Sequence, residues 1–276
     1  MPAQSHPDAP PLPRLGLALG GGGARGLCHI GVLRVLQELD VHPDVVSGTS
    51  MGGLVGAFVA AGYSAQDLES IAKEFRWARL IDWRMSGRLL STRAFERWLA
   101  DHLPPTFEEL ELPLVLTASD LRDGQVHYFR RGDLHTAIRA TTAYPGVVEP
   151  VLLGDALLVD GGLLNQIPVD GALFLGARRV LAVNATPLVR AEPEPGAPSS
   201  RRGTVLREVF RALDVMQAQL TAARLSFYHP DVVLDPPIDG VDIGDFHKAV
   251  TAIEAGAEAA RERSEDLLRL VAPPAG

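Results

Sequence analysis

The pentapeptide GTSMG at residues 48–52 constrains this chain more than any other feature. A short apolar stretch precedes it, and a run of small, apolar residues follows it over positions 53–61. A GxSxG sequence between a strand and a helix is the layout of a nucleophile elbow, a sharp turn that exposes the serine Oγ. Gly48, Met51 and Gly52 would then flank a nucleophilic Ser50 at a helix N-terminus. The alternative is a structural glycine turn that contains a serine.

A second glycine cluster, GGGGARG, occupies residues 20–26. The apolar segment 15–19 precedes it, and apolar residues from Leu27 to Leu39 follow at helical spacing,. This order predicts a strand, a loop and a helix, and such a loop presents backbone N–H groups to an anion. The residues that would line it are Gly21, Gly22, Gly23, Ala24, Arg25 and Gly26.

Two kinds of anion suit this loop. The glycine spacing fits the pyrophosphate loop of a dinucleotide-binding protein, and the same N–H groups would also serve as the oxyanion hole of an acyl-transfer enzyme. The first interpretation needs an acidic residue at the end of the next strand, whereas Asp44 stands at that strand's beginning,. We favour the oxyanion hole, because both loops are predicted at the same edge of neighbouring parallel strands.

A third signal is the tripeptide Asp160-Gly161-Gly162, which follows the apolar segment 156–159. An aspartate at the carboxyl end of a strand reaches into the crevice where sheets of this kind bind their ligands. Taken alone, the tripeptide favours an ordinary Asp-Gly turn.

Together, GGGGARG, GTSMG and DGG resemble the patatin-like phospholipases, in particular their small bacterial members, in motif order and spacing. The resemblance extends from about Arg14 to about Ala260. The other matching tracts are Gly26-Leu-Cys-His-Ile-Gly-Val-Leu, Thr117-Ala-Ser-Asp-Leu, Asp123-Gly-Gln, Gly132-Asp-Leu, Ala137-Ile-Arg-Ala, Tyr144-Pro-Gly and Val159-Asp-Gly-Gly-Leu-Leu-Asn-Gln-Ile-Pro-Val.

The resemblance implies that Ser50 is the nucleophile and that Asp160 is its direct partner, in a dyad without histidine. It assigns the oxyanion hole to the loop at residues 21–26. It also implies a three-layer sandwich, a lipid or acyl-ester substrate and no cofactor. Two departures stand beside these matches: Thr141-Thr142-Ala143 replaces Ala-Ser-x-Ala, and Val148-Glu149-Pro150 replaces an aromatic-x-Pro.

Composition narrows the classes of function. The net charge of -8 argues against a nucleic-acid partner and against electrostatic attraction to an anionic membrane,. The single cysteine, Cys28, excludes an intrachain disulfide and fits a reducing compartment,. No apolar run reaches the ~18 residues of a membrane span. We therefore expect a cytoplasmic enzyme, and we leave open a transient contact with a membrane surface.

The alternation of strands and helices predicts an α/β fold with a mainly parallel central sheet and helices on both faces. A length of 276 residues suits one large domain, which we place at residues 14–271,. Residues 1–13 contain five prolines and are predicted to be a disordered tail,. Nothing in the sequence indicates an oligomeric state.

A segment rich in proline, glycine and charge at residues 187–203 predicts a flexible surface insertion,. The alternative is a lid or a membrane-touching loop. A helix is predicted from Val205 to about Phe227, with an apolar stripe that we expect to pack on the core. A lipid-facing stripe is the alternative. The stripe consists of Val205, Val209, Ala212, Leu213, Met216 and Leu220.

A Ser-His-Asp triad would need a histidine after the aspartate, and only His229 and His247 qualify,. Neither stands on a glycine-rich loop after a strand, so the dyad is favoured. The spacing of histidine, cysteine and carboxylate residues predicts no metal site. The sequence therefore predicts a serine acyl hydrolase of lipid esters. Its rivals are a non-catalytic lipid- or acyl-binding regulator on the same fold, and a nucleotide-binding enzyme that uses the glycine loop.

Overall fold

The computed structural model describes residues 15–74, 92–186 and 201–272. The described strands are β1 (Leu15–Leu19), β2 (Val45–Thr49), β3 (Leu114–Asp120), β4 (Val126–Phe129), β5 (Val151–Leu153), β6 (Ala156–Asp160), β7 (Arg179–Val183) and β8 (Val232–Leu234). The described α-helices are α1 (Cys28–Glu38), α2 (Ser50–Ala60), α3 (Ala65–Glu74), α4 (Thr92–His102), α5 (Leu134–Thr141), α6 (Val169–Phe174), α7 (Arg201–Tyr228), α8 (Ala249–Glu262) and α9 (Ser264–Val271).

The centre of the sheet is parallel, with β3, β2, β1, β7 and β8 side by side. The short strands β1 and β2 are buried along their whole length. Continuous apolar strands are typical of a parallel sheet that is covered on both faces. The predicted α/β fold is therefore confirmed.

The antiparallel part of the sheet consists of the three strands β4, β5 and β6, beside five parallel strands. A hairpin turn at residues 120–124 joins β3 to β4, and β5 and β6 form a second hairpin around Gly154. Gly154 has a φ of +58°, a left-handed conformation that glycine adopts without strain,. Strand β6 in turn runs antiparallel to β3.

Strands β2 and β6 share one edge of β3 and run toward each other along it. Strand β4 pairs with residues 116–119 of β3 on the other edge, so β2 and β6, which both overlap that stretch, lie together on the opposite side. The last residue of β2, Thr49, lies opposite Thr117, and the last residue of β6, Asp160, lies opposite Ala118. The carboxyl ends of the two strands therefore meet.

Side chains alternate across the sheet and build two cores. Leu17 and Val46 face the larger core, which includes apolar residues of α1, α2, α5 and α8. Ala18 and Val180 face the smaller core, which is covered by α6 and by the C-terminal end of α7. Helices on both faces of one sheet make the three layers that the sequence predicted.

The predicted tail and the predicted insertion fall largely on residues that the structure does not describe. Residues 1–13, and residues 187–200 of the predicted insertion, lie outside the described residues. The helix predicted from Val205 begins earlier, at Arg201, so residues 201–203 belong to α7. A single glycine such as Gly203 costs a helix only about 1 kcal/mol and does not stop it.

Helices α1 and α8 cross at glycines, so their backbones approach closely. A Cβ added to Gly256 would lie 1.9 Å from the Cys28 carbonyl oxygen, and one added to Gly31 would lie 1.8 Å from the carbonyl oxygen of Ile253. Because α1 follows the glycine loop directly, the contact between α1 and α8 helps to hold the loop in place.

Gly256→Ala is expected to destabilise the fold by about 1–3 kcal/mol or more, because the added methyl forces the two helices apart. Urea denaturation measures this change. Helix propensity alone would make the same substitution stabilising by about 1 kcal/mol. The control is Gly240→Ala, where a Cβ meets nothing within 4 Å. Equal stability of the two variants would contradict the close contact.

Candidate active site

The serine turn has the strained geometry of a nucleophile elbow. Strand β2 ends at Thr49, α2 begins at Ser50, and the φ of Ser50 is +54°. Such a conformation in a non-glycine residue is uncommon and costs roughly 1–3 kcal/mol. A Cβ on Gly52 would lie 2.3 Å from the Leu19 carbonyl oxygen, and one on Gly48 would lie 2.5 Å from the Cα of Gly53. Both glycines of the motif are thus required by close packing.

Hydroxyl groups around the elbow hold it in place. The backbone N–H of Ser50 donates to Thr141 Oγ1 at 2.8 Å. The hydroxyl of Thr49 lies 2.6 Å from that of Thr117 and donates to the Asn165 carbonyl oxygen at 2.8 Å. Thr141 belongs to the tripeptide that departs from the family pattern. The sequence did not show that its side-chain oxygen accepts a hydrogen bond from the Ser50 N–H.

Ser50 and Asp160 are in direct contact. Ser50 Oγ donates to Asp160 Oδ2 at 2.5 Å, and Asp160 Oδ1 accepts from the Gly162 N–H at 2.8 Å. A Cβ on Gly161 would lie 2.4 Å from the Thr117 carbonyl oxygen, which explains the first glycine of the DGG motif. The carboxylate is therefore oriented at both oxygens.

Burial governs the ionisation of Asp160. The residue is only 4% exposed, and desolvation raises the pKa of its carboxyl to about 6,. The hydrogen bonds from Ser50 and from the Gly162 N–H oppose this rise, because they favour the charged form,. A carboxylate with a raised pKa is a stronger base than an exposed one and is still ionised at neutral pH.

The glycine loop lies beside this pair, and most of its N–H groups are already bonded. Those of Gly21, Ala24 and Arg25 donate to the carbonyl oxygens of Gln166, Ile243 and Gly22. Gly26 lies inside a 3₁₀ turn, packed against the Met51 side chain.

Two N–H groups of the loop are left for a ligand. Within the described part of the chain, the N–H groups of Gly22 and Gly23 have no acceptor, and both residues line the cavity at Ser50. Met51 lies in the first turn of α2, where backbone N–H groups have no intrahelical partner,. These three N–H groups are the candidate anion donors.

Two buried side chains anchor the loop. His29 Nε2 donates to the Gly20 carbonyl oxygen at 2.7 Å, and burial lowers the pKa of His29 to about 4, so the ring is neutral. Arg25 Nε donates to the Val241 carbonyl oxygen at 2.7 Å, and its guanidinium also lies 3.7 Å from Asp242. Arg25 thus ties the loop to the segment before α8.

The cavity at Ser50 is small and roofed by α7. Its volume is about 20 Å³, which is room for roughly one water molecule,. The lining residues are Gly21, Gly22, Gly23, Arg25, Ser50, Tyr144, Asp160, Gln166, Thr186, Asp214, Gln217 and Ile243. Asp214 and Gln217 come from α7, so this helix forms part of the cavity wall.

The prediction that the apolar stripe of this helix packs on the core is wrong for Ala212, Met216 and Leu220, which are exposed. The side chains of Val205 and Val209 lie outside the described residues. The inner face carries polar residues beside Leu225 and Tyr228, which pack on the smaller core. Arg224 donates to the buried Asp170 carboxylate at 2.6 Å and to Asn165 Oδ1 at 3.0 Å. These polar partners at the end of the sheet decide which face of α7 turns inward.

Neither histidine of the alternative triad reaches Ser50. His229 and His247 are exposed, and no histidine of the described chain lines the cavity. Within the described ranges, no group of three or more His, Cys, Asp or Glu side chains is arranged to hold a metal ion.

Comparison with known proteins gives the family. A family model described as patatin-like phospholipase matches residues 17–173, more than half of the chain. The chain belongs to the patatin-like phospholipase family. VipD from Legionella pneumophila shares the fold, with a TM-score of 0.58 at 13% identity, over 95% of this chain and 67% of VipD.

Curated relatives of this patatin-like chain are longer proteins. One NTE family protein of Mycobacterium tuberculosis is 35% identical over 75% of this chain and 59% of its own length. A second is 32% identical over 92% of this chain and 48% of its own length. Lysophospholipase NTE1 of Mycosarcoma maydis is 32% identical over 62% of this chain and 10% of its own length. The chain thus spans about half the length of the mycobacterial relatives.

Thr141→Val is expected to lower kcat by between about 10- and 100-fold with little change in KM. The substitution keeps the shape of the side chain but leaves the Ser50 N–H unpaired, and small misplacements of a reacting group have effects of this size. Thr141→Ser is the matched control, because it keeps the acceptor oxygen. A valine variant with wild-type kcat would show that the hydrogen bond does not position Ser50.

Proposed function

We propose that this chain is a serine acyl hydrolase that cleaves carboxylic ester bonds of lipids through a Ser50–Asp160 dyad. The observation that carries the proposal is the 2.5 Å hydrogen bond from Ser50 Oγ to Asp160 Oδ2. It lies beside a loop with two N–H groups that have no acceptor among the described residues. Nucleophile, base and anion donors are the three parts that acyl transfer requires.

In the first half of the reaction, Asp160 takes the hydroxyl proton as Ser50 Oγ attacks the ester carbonyl carbon. The carbonyl oxygen becomes an oxyanion, which the N–H groups of Gly22, Gly23 and Met51 stabilise. The intermediate then collapses: the bond to the alcohol oxygen breaks, and that oxygen takes the proton from Asp160. An acyl-enzyme on Ser50 and a free alcohol remain.

In the second half, Asp160 accepts a proton from a water molecule that attacks the acyl-enzyme. A second oxyanion forms in the same site and collapses to release the fatty acid. Ser50 recovers its proton from Asp160, so the enzyme returns to its starting state. One base serves both halves because it contacts the nucleophile directly.

The family and the name of the fungal lysophospholipase relative support a lipid substrate. We infer a lipid ester, whether of a phospholipid, a lysophospholipid or a neutral lipid. We place the enzyme in the cytoplasm or at a membrane surface. No helix of the described residues combines the length and apolar character needed to span a bilayer.

Two rival functions are testable beside this one. A lipid- or acyl-binding regulator would keep the fold but would not react with a fluorophosphonate, which labels an activated serine. A nucleotide-binding enzyme would use the glycine loop for phosphates, yet the cavity at that loop contains Ser50 and Asp160. Equilibrium dialysis with NAD(P) or ATP tests this second rival.

Ser50→Ala is expected to abolish ester hydrolysis and fluorophosphonate labelling, with a loss on the order of 10³-fold or more in kcat. Asp160→Asn is expected to be nearly as damaging, and the double variant little worse than either, because the pair acts as a unit. His229→Ala and His247→Ala are the controls and should keep most activity. If the loss in kcat of the double variant equalled the product of the two single losses, Ser50 and Asp160 would act in different steps.

The pH dependence of kcat/KM is expected to show one ascending limb with a midpoint near pH 6. Only ionised Asp160 accepts the Ser50 proton, and burial raises its pKa to about 6, so activity falls as the pH drops through that value,. The limb should stay in place in the His229→Ala and His247→Ala variants. A limb that moves in either variant would identify a histidine as the base.

A further inference from the structure

Helix α7 exposes large apolar side chains while it buries polar ones. Among its described side chains, Gln217 and Thr221 are 7% and 6% exposed, whereas Val215, Met216 and Phe227 are 58%, 66% and 76% exposed. A surface helix in water shows the opposite arrangement, with its apolar stripe against the core. The outer face is therefore adapted to something other than water.

The inner face has fixed partners, so the helix cannot simply turn over. Arg224 is paired with the fully buried Asp170 and bonded to Asn165. Asp214 and Gln217 line the cavity at Ser50. Rolling α7 to bury Met216 would leave the Asp170 charge buried and unpaired, which is strongly unfavourable.

The outer face carries no charge over four turns. From residue 212 to residue 227, Asp214 and Arg224 are the only charged residues, and both belong to the inner face. We call this surface the outer face of α7; it consists of Ala212, Val215, Met216, Gln219, Leu220, Ala222, Ala223, Ser226 and Phe227. It is about 24 Å long and about 10 Å wide.

We propose that the outer face of α7 docks on an electrically neutral lipid surface. A single helix face of this size is far below the roughly 800 Å² per partner of a stable protein interface, which argues against a second copy of the chain. An uncharged face on a chain of net charge -8 has no attraction for anionic lipid,. Burial of apolar side chains into the interface then supplies the binding, as for amphipathic helices that lie in the membrane plane.

Docking at this face brings the roof of the active site to the lipid. Asp214 and Gln217 of α7 line the cavity at Ser50, so docking by the outer face would hold this cavity next to the lipid that carries the ester. This consequence rests on the proposed lipid-ester hydrolysis, whereas the docking itself does not. The two are separable because a chain without its nucleophile still carries the outer face.

The experiment measures binding of the full chain to phosphatidylcholine vesicles by flotation. The Ser50→Ala background keeps the vesicles intact and makes binding independent of catalysis. Met216→Gln/Leu220→Gln changes the outer face with a residue of equally high helix propensity. Val250→Gln, at a 57% exposed apolar residue on α8, is the matched control. Hydrolysis of a short soluble ester is measured in the same variants with Ser50 intact.

We expect the double variant to lose about tenfold in vesicle partitioning for each residue changed, while the control binds normally. Binding should be the same at low and high salt, and turnover of the soluble ester should be unchanged. Wild-type partitioning by the double variant, or no binding of the parent chain, would overturn the proposal. So would binding that needs anionic lipid, or a dimer in solution that the double variant abolishes. Failure of soluble-ester hydrolysis alone would count against the proposed activity and not against docking.

Discussion

The site depends on two strands that share one edge of β3 and run into each other. Strand β2 delivers Ser50 from one direction, and β6 delivers Asp160 from the other, so their carboxyl ends meet between Thr117 and Ala118. In a wholly parallel sheet, the two residues would end on separate strands at least one strand spacing, about 4.8 Å, apart. The antiparallel insertion of β6 is therefore what permits direct contact between Ser50 and Asp160. No space remains between the Ser50 and Asp160 side chains for a bridging histidine.

That contact is maintained by backbone packing more than by side-chain contacts. The elbow stores strain at Ser50, and the close approach of Gly52 to the end of β1 keeps it from relaxing,. Thr141 binds the serine N–H, while Asp160 is oriented by its own glycine turn. Burial then raises the pKa of the carboxyl toward neutrality, which suits a base that acts without a relay,. Position and basicity thus come from the same tight packing.

Helix α7 lies between the candidate active site and the surface of the protein. Its inner face pairs with the buried Asp170 carboxylate and lines the cavity at Ser50, and its outer face exposes apolar side chains. The polar inner contacts explain why an apolar stripe is tolerated outside, since the helix gains more from pairing Asp170 than from burying methionine and leucine. A helix that is apolar outside and polar inside is consistent with the proposed docking on lipid.

The sequence by itself determined the alternating α/β order, the helices on both faces and the family, because glycine turns and apolar runs are local signals that survive without a structure. It also singled out Ser50, Asp160 and the glycine loop as the candidate site. Only the tertiary structure decided that β6 runs antiparallel, that Gly22 and Gly23 keep unbonded N–H groups among the described residues, and that Thr141 accepts from Ser50. It also reversed the expectation for α7. Each of these depends on partners distant in sequence, and helical periodicity shows that a stripe exists without showing which face turns inward.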